Sequence, residues 1–167
     1  EDDIRGYDFA DGDNDPMDGV TVDAGHGTHV AGIAAARSNN SLGVAGVSPT
    51  STVMVLKIFS DQGSGALGYA TDALDYAVAM GADVVNMSFG SDGTYDGFEN
   101  AVAAGAASGL VMIAALGNDS LNLDTSGVDF YPVESDGSND QIIGVTAVDS
   151  DLGFSSYSNR GLAADVT

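Results

Sequence analysis

Four short apolar runs, at 52–59, 83–89, 110–115 and 142–148, alternate with stretches of helical period, and this alternation limits the possible folds more than any other feature. The runs are short, and several are apolar at successive positions, as strands covered on both faces require. The segment 67–80 puts Leu67, Ala70, Leu74, Ala77 and Val78 at helical spacing and is followed by Gly81, a residue suited to a left-handed C-terminal cap. Helices are also expected at 26–37 and 95–108. This order implies an α/β protein of three layers, a parallel sheet with helices on both sides. Ligands of open parallel sheets collect at the carboxyl ends of the strands. Here those ends carry Ser88-Phe89-Gly90 and Gly117-Asn118.

The 167 residues, 44% hydrophobic with mean hydropathy +0.08, suffice for one globular domain over 1–167. Net charge is −21, from 25 acidic residues against Arg5, Arg37, Lys57 and Arg160. Such a surface repels nucleic acid. No apolar run approaches the roughly 18 residues that span a bilayer, so no membrane partner is expected. A basic and then apolar leader is absent from the start, so a secretory signal either never existed or was removed. Lack of cysteine excludes disulfides and thiolate metal sites.

All acids but Glu1, Glu99 and Glu134 are aspartate, the residue of turns and of oxygen-ligand cation sites. Asp8, Asp11, Asp13 and Asp15 crowd four carboxylates into eight residues, where they repel one another unless a cation or solvent intervenes. A calcium loop and a plain solvated loop are the two readings. High-salt adaptation is a further source of acidity for the chain as a whole. Either way, stability should rise with salt or divalent cation.

His26 lies in Gly25-His26-Gly27-Thr28-His29-Val30-Ala31-Gly32, which runs into the small-residue tract 33–36. Glycines around an imidazole at a helix start leave one ring face open for proton transfer near neutral pH. A helix cap or a metal ligand would use the same residue. His29, one turn on, is expected to be a structural histidine of the interior.

Three segments in one order carry a resemblance: the stretch around His26, then 84–90 (Val-Val-Asn-Met-Ser-Phe-Gly), then 111–118 (Val-Met-Ile-Ala-Ala-Leu-Gly-Asn). They resemble the histidine, substrate-strand and oxyanion-asparagine motifs of subtilisin-like serine proteases, over nearly the whole chain. Tyr7-Asp8-Phe9 to Asp18 resembles the acidic calcium loop of thermitase-like members, and 39–47 the family's other calcium loop.

The resemblance implies that His26 is the general base and Asn118 the oxyanion donor. Gly63, Ser64 and Gly65 would form one edge and Ser88, Phe89 and Gly90 the other of a cleft holding an extended polypeptide substrate. Ala115, Leu116 and Gly117 would wall the pocket for the residue before the scissile bond, Leu116 being bulkier than the alanine common there. Structural calcium would bind at Asp8, Asp11, Asp13 and Asp15. A second ion would use the Asn40 side chain and the carbonyls of Ser38, Leu42 and Val44. Tyr131-Pro132 aligns with a pair that is cis in many relatives, although the surrounding loop differs. The segment 154–159 is structural, and its serines are poor nucleophiles.

Neither the family's Gly-Thr-Ser-Met-Ala nucleophile motif nor its Asp-Thr/Ser-Gly motif before the histidine occurs here. The expectation is therefore a secreted, extracellular endopeptidase whose catalytic domain is present without its aspartate and serine segments, incomplete at both ends and inactive alone. The alternatives are a catalytically dead peptide-binding protein and a subunit completed by a partner chain. A pro-segment is a further expected partner. The whole reading requires that the His26 imidazole and the Asn118 carboxamide meet in one groove.

Overall fold

The elements follow in the order β1 (Gly6–Asp8), α1 (His26–Ala35), β2 (Val55–Lys57), α2 (Leu67–Ala79), β3 (Val84–Met87), β4 (Ser91–Asp92), α3 (Asp96–Ser108), β5 (Val111–Ala115), α4 (Leu123–Ser126), β6 (Phe130–Tyr131) and β7 (Ile142–Val145). This computed structural model describes residues 6–19, 25–63, 65–93, 95–135 and 139–167. The chain forms two units, Glu1–Ala73 and Leu74–Thr167, with the boundary inside α2.

In the first unit β1 pairs in parallel with β2, and the register sets Asp8 opposite Lys57. The expected strand at 52–59 is thus regular over three residues only, and Val55 is exposed while Ile58 is buried. Helix α1 buries none of its ten residues. After it the chain turns back, with Gly46, Val47 and Ser48 N–H donating to the carbonyls of Ala36, Ile33 and Ala34. Those are the carbonyls that the end of an α-helix leaves without internal partners.

In the second unit β5 is the middle strand of a parallel sheet ordered β3-β5-β7, registered Val84 to Val111 and Met112 to Ile142. Parallel pairing needs a crossover, and α3 supplies the one between β3 and β5. Its buried face is Phe98, Ala101, Val102 and Gly105, one helical stripe. Gly105 lets the Met112 sulfur approach the helix backbone. Phe98, Val102, Met112 and Leu116 are fully buried, each worth roughly 1.5–3 kcal/mol of transfer free energy. The opposite side of this sheet is less covered, for Val84, Val111 and Ile143 remain 54%, 43% and 38% exposed.

Helix α2 ends at Gly81 as the sequence predicts, and α3 ends in the same way at Gly109. Gly81 (φ +72°) donates to Val78 O and Ala82 to Ala77 O, a Schellman closure, and Gly109 with Leu110 repeats it on α3. The last strand is regular to Val145 rather than 148. Beyond it Val148 bridges Phe154, so the chain leaves the sheet for a turn. Strand β4 pairs antiparallel with β6, Ser91 opposite Tyr131 and Asp92 opposite Phe130. The Tyr131-Pro132 bond is cis.

Candidate active site

His26 is the first residue of α1, and its side chain is exposed. Gly25 (φ +94°) makes the entry turn but offers no capping side chain. Asp18 does so from eight residues upstream of the helix. Its carboxylate accepts the Thr28 N–H at 2.8 Å and the Thr28 hydroxyl at 2.5 Å. Burial raises its pKa, but the bonds from Thr28 and the Gly27 N–H and the charge of His26 outweigh that, leaving Asp18 below the usual aspartate value. A carboxylate at a helix N-terminus satisfies donors the helix cannot satisfy itself and complements its dipole. His29 corrects the expectation of an interior histidine: it is exposed, because α1 has no buried face in this structure.

The acidic loop is arranged differently from a calcium site. Lys57 Nζ lies 2.5 Å from Asp8 Oδ2, 3.0 Å from Asp11 Oδ2 and 3.2 Å from Asp61 Oδ1. Asp8 Oδ1 meanwhile accepts the N–H groups of Ala10 and Asp11, both at 2.9 Å. The Asp8 carboxylate is 2% exposed, and burial pushes its pKa up. Lys57 and the two N–H donors overcome that and hold it below the usual value. The same carboxylates keep Lys57 protonated well above its ordinary range, against the effect of burial. Asp13 turns to the Asp15 N–H at 2.8 Å. Asp8, Asp11, Asp13 and Asp15 therefore do not gather as expected, and no group of three or more acidic or histidine side chains among the described residues could hold a metal. The parallel register of β1 and β2 has put an ammonium where the sequence suggested a cation from solution.

The loop 37–45 surrounds a cavity of about 240 Å3 lined by residues including Ser38, Asn40, Leu42 and Val44. Asn39, Ser41 and Gly43 have φ of +57°, +60° and +53°, so every second residue is left-handed. Asn40 Oδ1 accepts the Leu42 N–H at 3.0 Å. Backbone and amide oxygens are hard ligands of the kind calcium takes. Gly63 closes a turn on Ser60 O, and Gly65 bridges Phe59, packed so closely that a Cβ would strike its ring. Ser64 lies outside the described residues.

In the second unit a cavity of about 220 Å3 is lined by Ser88, Phe89, Gly90, Ala115, Gly117, Asn118, Asp119 and Phe130. The Asn118 side chain is exposed there and hydrogen-bonds to no described residue. Leu116 corrects the sequence reading, since it does not line the cavity. It is 0% exposed, with its Cδ1 facing Gly144 on β7. Strand alternation is the cause: Ala115 and Gly117 share one side, and Leu116 takes the other with Met112 and Ala114.

Two residues that shape this site gave little signal in the sequence. Asn159, 0% exposed, accepts the N–H groups of Asp119 (2.9 Å) and Leu121 (3.0 Å) on Oδ1. Its Nδ2 donates to Leu116 O (2.8 Å) and Asp119 Oδ2 (3.3 Å). It thereby ties down both sides of Asn118. Phe130 sits beneath Gly90 and Gly117, where a Cβ on either glycine would lie within 2.4–2.6 Å of the ring. Nearby, burial and then the Glu99 carboxylate, which accepts the Tyr131 hydroxyl at 2.5 Å, push the Tyr131 pKa above its usual value.

A parallel α/β sheet with a cavity at the carboxyl ends of adjacent strands defines a broad class of ligand-binding folds. The subtilase family model, peptidase S8, matches residues 1–167, and the chain belongs to this family of subtilisin-like serine proteases. It is 42% identical over 163 residues to a thermophilic serine proteinase of Bacillus sp. (strain AK1), covering 98% of the chain and 37% of that protein. Thermitase of Thermoactinomyces vulgaris is 34% identical over 163 residues, with 98% and 54% covered. Among solved structures, proteases from Pseudoalteromonas arctica PAMC 21717 superpose with TM-score 0.81 at 30% identity, over 96% of this chain and 55% of theirs. The chain thus spans about half, or less, of the length of these relatives.

Proposed function

We propose that the chain contributes the general base and the oxyanion donor of a secreted serine endopeptidase. In this reading His26 takes the proton from a serine hydroxyl as that oxygen attacks a peptide carbonyl, then gives it to the departing amine. The Asn118 Nδ2 donates to the carbonyl oxygen as it becomes negative. The aspartate and serine belong to segments outside these 167 residues. The observation that carries the reading is the Asn118 carboxamide, exposed on the cavity wall, bonded to no described residue and standing on a loop that Asn159 holds fixed. A donor fixed in advance needs no reorganisation when charge appears.

Calcium is assigned to the 37–45 loop only, through the Asn40 side chain and the carbonyls of Ser38, Leu42 and Val44. The cavity that these four residues help to line supports it. No ion is assigned to the Asp8 to Asp15 loop, where Lys57 engages the Asp8 and Asp11 carboxylates and the Asp15 N–H engages that of Asp13.

Hydrolysis of a peptide by the complete product of the gene tests the reading. Asn118→Ala should lower kcat roughly 10²–10³-fold, the loss known for such a donor in subtilisin itself, with KM little changed. An unchanged kcat would remove Asn118 from this role.

A further inference from the structure

We propose that Asp18 is a positioning residue for His26, and that the turn at Asp61, fastened by Lys57, sets where Asp18 stands. The inference rests on the peptide-cleaving reading and adds to it the residues that aim the base. His26 is the first residue of α1, and the residue before it is a glycine with no side chain to cap the helix. A ring in that place follows every movement of the first turn, whose N–H groups have no partner within the helix. Asp18 closes the turn from outside. Its Oδ2 accepts both the Thr28 N–H at 2.8 Å and the Thr28 hydroxyl at 2.5 Å. Its Oδ1 stands beside Gly27, where an added Cβ would lie 3.2 Å from it. The glycine after the histidine thus has a use of its own: it leaves room for the carboxylate against the turn.

A carboxylate can aim the turn only if something holds the carboxylate. Residues 15–19 belong to no helix or strand, so the hold comes from elsewhere. The residue after Asp18, Gly19, lies against Asp61, and a Cβ there would stand 2.8 Å from both the Asp61 Cα and its Oδ1. No left-handed backbone requires glycine at 19, so the contact with Asp61 is what excludes a side chain. Asp61 is itself fastened twice. Its N–H donates to Asp11 Oδ2 at 3.3 Å, and its Oδ1 lies 3.2 Å from Lys57 Nζ. Lys57 stands on β2, in parallel register with β1. A path of contacts therefore runs from the strand pair through Asp61, Gly19 and Asp18 to the turn that carries the imidazole. All of it lies within the first unit. A methyl group added at Gly19 presses on this path without removing a charge or a hydrogen bond.

The test uses the complete product of the gene, with fluorescein-labelled casein as substrate and initial rates taken over a range of casein concentrations. Rates are expressed per folded molecule, counted by far-UV circular dichroism. Asp18→Ala should lower kcat about tenfold and leave KM within about twofold, because a misplaced base loses rate rather than binding. Asp18→Asn keeps an acceptor for Thr28 and should recover most of that loss. Gly19→Ala should also lower kcat with KM unchanged, by less than Asp18→Ala does. The double variant Gly19→Ala/Asp18→Ala should be no slower than Asp18→Ala, since the displacement acts through a carboxylate that is already gone. Losses that add in full in the double variant would detach Gly19 and Asp61 from the role. Should Asp18→Ala fail to fold, Gly19→Ala decides by the same split between kcat and KM. An unchanged kcat in the deciding variant, or a loss confined to KM, would overturn Asp18 as a positioning residue and leave peptide cleavage standing. Casein left intact by the unaltered protein would overturn both.

Discussion

Lys57 and Asn159 perform the same task with opposite physics. Each is a nearly buried side chain that gathers several backbone or carboxylate groups of a loop leading to a candidate catalytic residue. Lys57 does so with charge: one ammonium against Asp8, Asp11 and Asp61. Asn159 does so with a neutral amide whose donors and acceptor are all used. A charged hub is strong only while both signs are present, since either one left alone in a buried place keeps its desolvation cost. A neutral hub loses individual hydrogen bonds but strands no charge. The first unit should therefore respond most to loss of one partner of its charged cluster, and the second to geometry.

The sharpest way to break the comparison is Lys57→Met, which leaves the buried Asp8 carboxylate without its partner. A loss of about 3–5 kcal/mol is expected. Hydrogen exchange at the Ala10 and Asp11 amides, which bond to Asp8, should accelerate while the β5 amides stay protected. Equal acceleration in both units would mean that the cluster does not govern the first unit separately.

Asn159→Ala comes next. It leaves the N–H groups of Asp119 and Leu121 and the Leu116 carbonyl without their partner, at a cost of about 2–3 kcal/mol. Urea denaturation would measure the loss, and the Asn118 side-chain amide signal should broaden as its loop gains freedom. A sharp, unshifted signal would show that other contacts hold the loop.

Acid should produce the smallest effect, on the order of 1 kcal/mol for the cap alone. In the folded chain Asp8 and Asp18 are held below the ordinary aspartate value of 3.8, so their stabilisation is complete above that pH. It is lost as pH falls through the lower folded values. Fraying of α1 at its first turn, followed through the Gly27 and Thr28 amides, should begin below about pH 3.8. In Asp18→Asn that dependence should flatten.

What the sequence made legible was periodic. Helices α2 and α3 and the middle strands announce themselves because apolar spacing is a property of neighbours in the chain. The glycine end of α2 follows from backbone sterics and was equally readable. Identities at strand ends, such as Asn118, were visible through motif order. What stayed hidden depends on register and on side-chain direction. Lys57 reads as an ordinary strand residue until β1 lies beside β2 and brings Asp8 against it. Leu116 reads as a pocket wall until the alternation along β5 turns it inward. Phe130 is separated from Gly90 by 40 positions, and nothing local links them. The paired glycines were the available hint, since two absent side chains facing one site imply a third residue large enough to fill the space.

Lys57 is also the chain's sole lysine. Its amine is almost enclosed and is held in the non-nucleophilic ammonium form by three carboxylates, so acylating reagents should find little to react with beyond the amino terminus. Modification at this one position would mark the moment when the first unit opens, a built-in chemical clock for local unfolding that needs no introduced label.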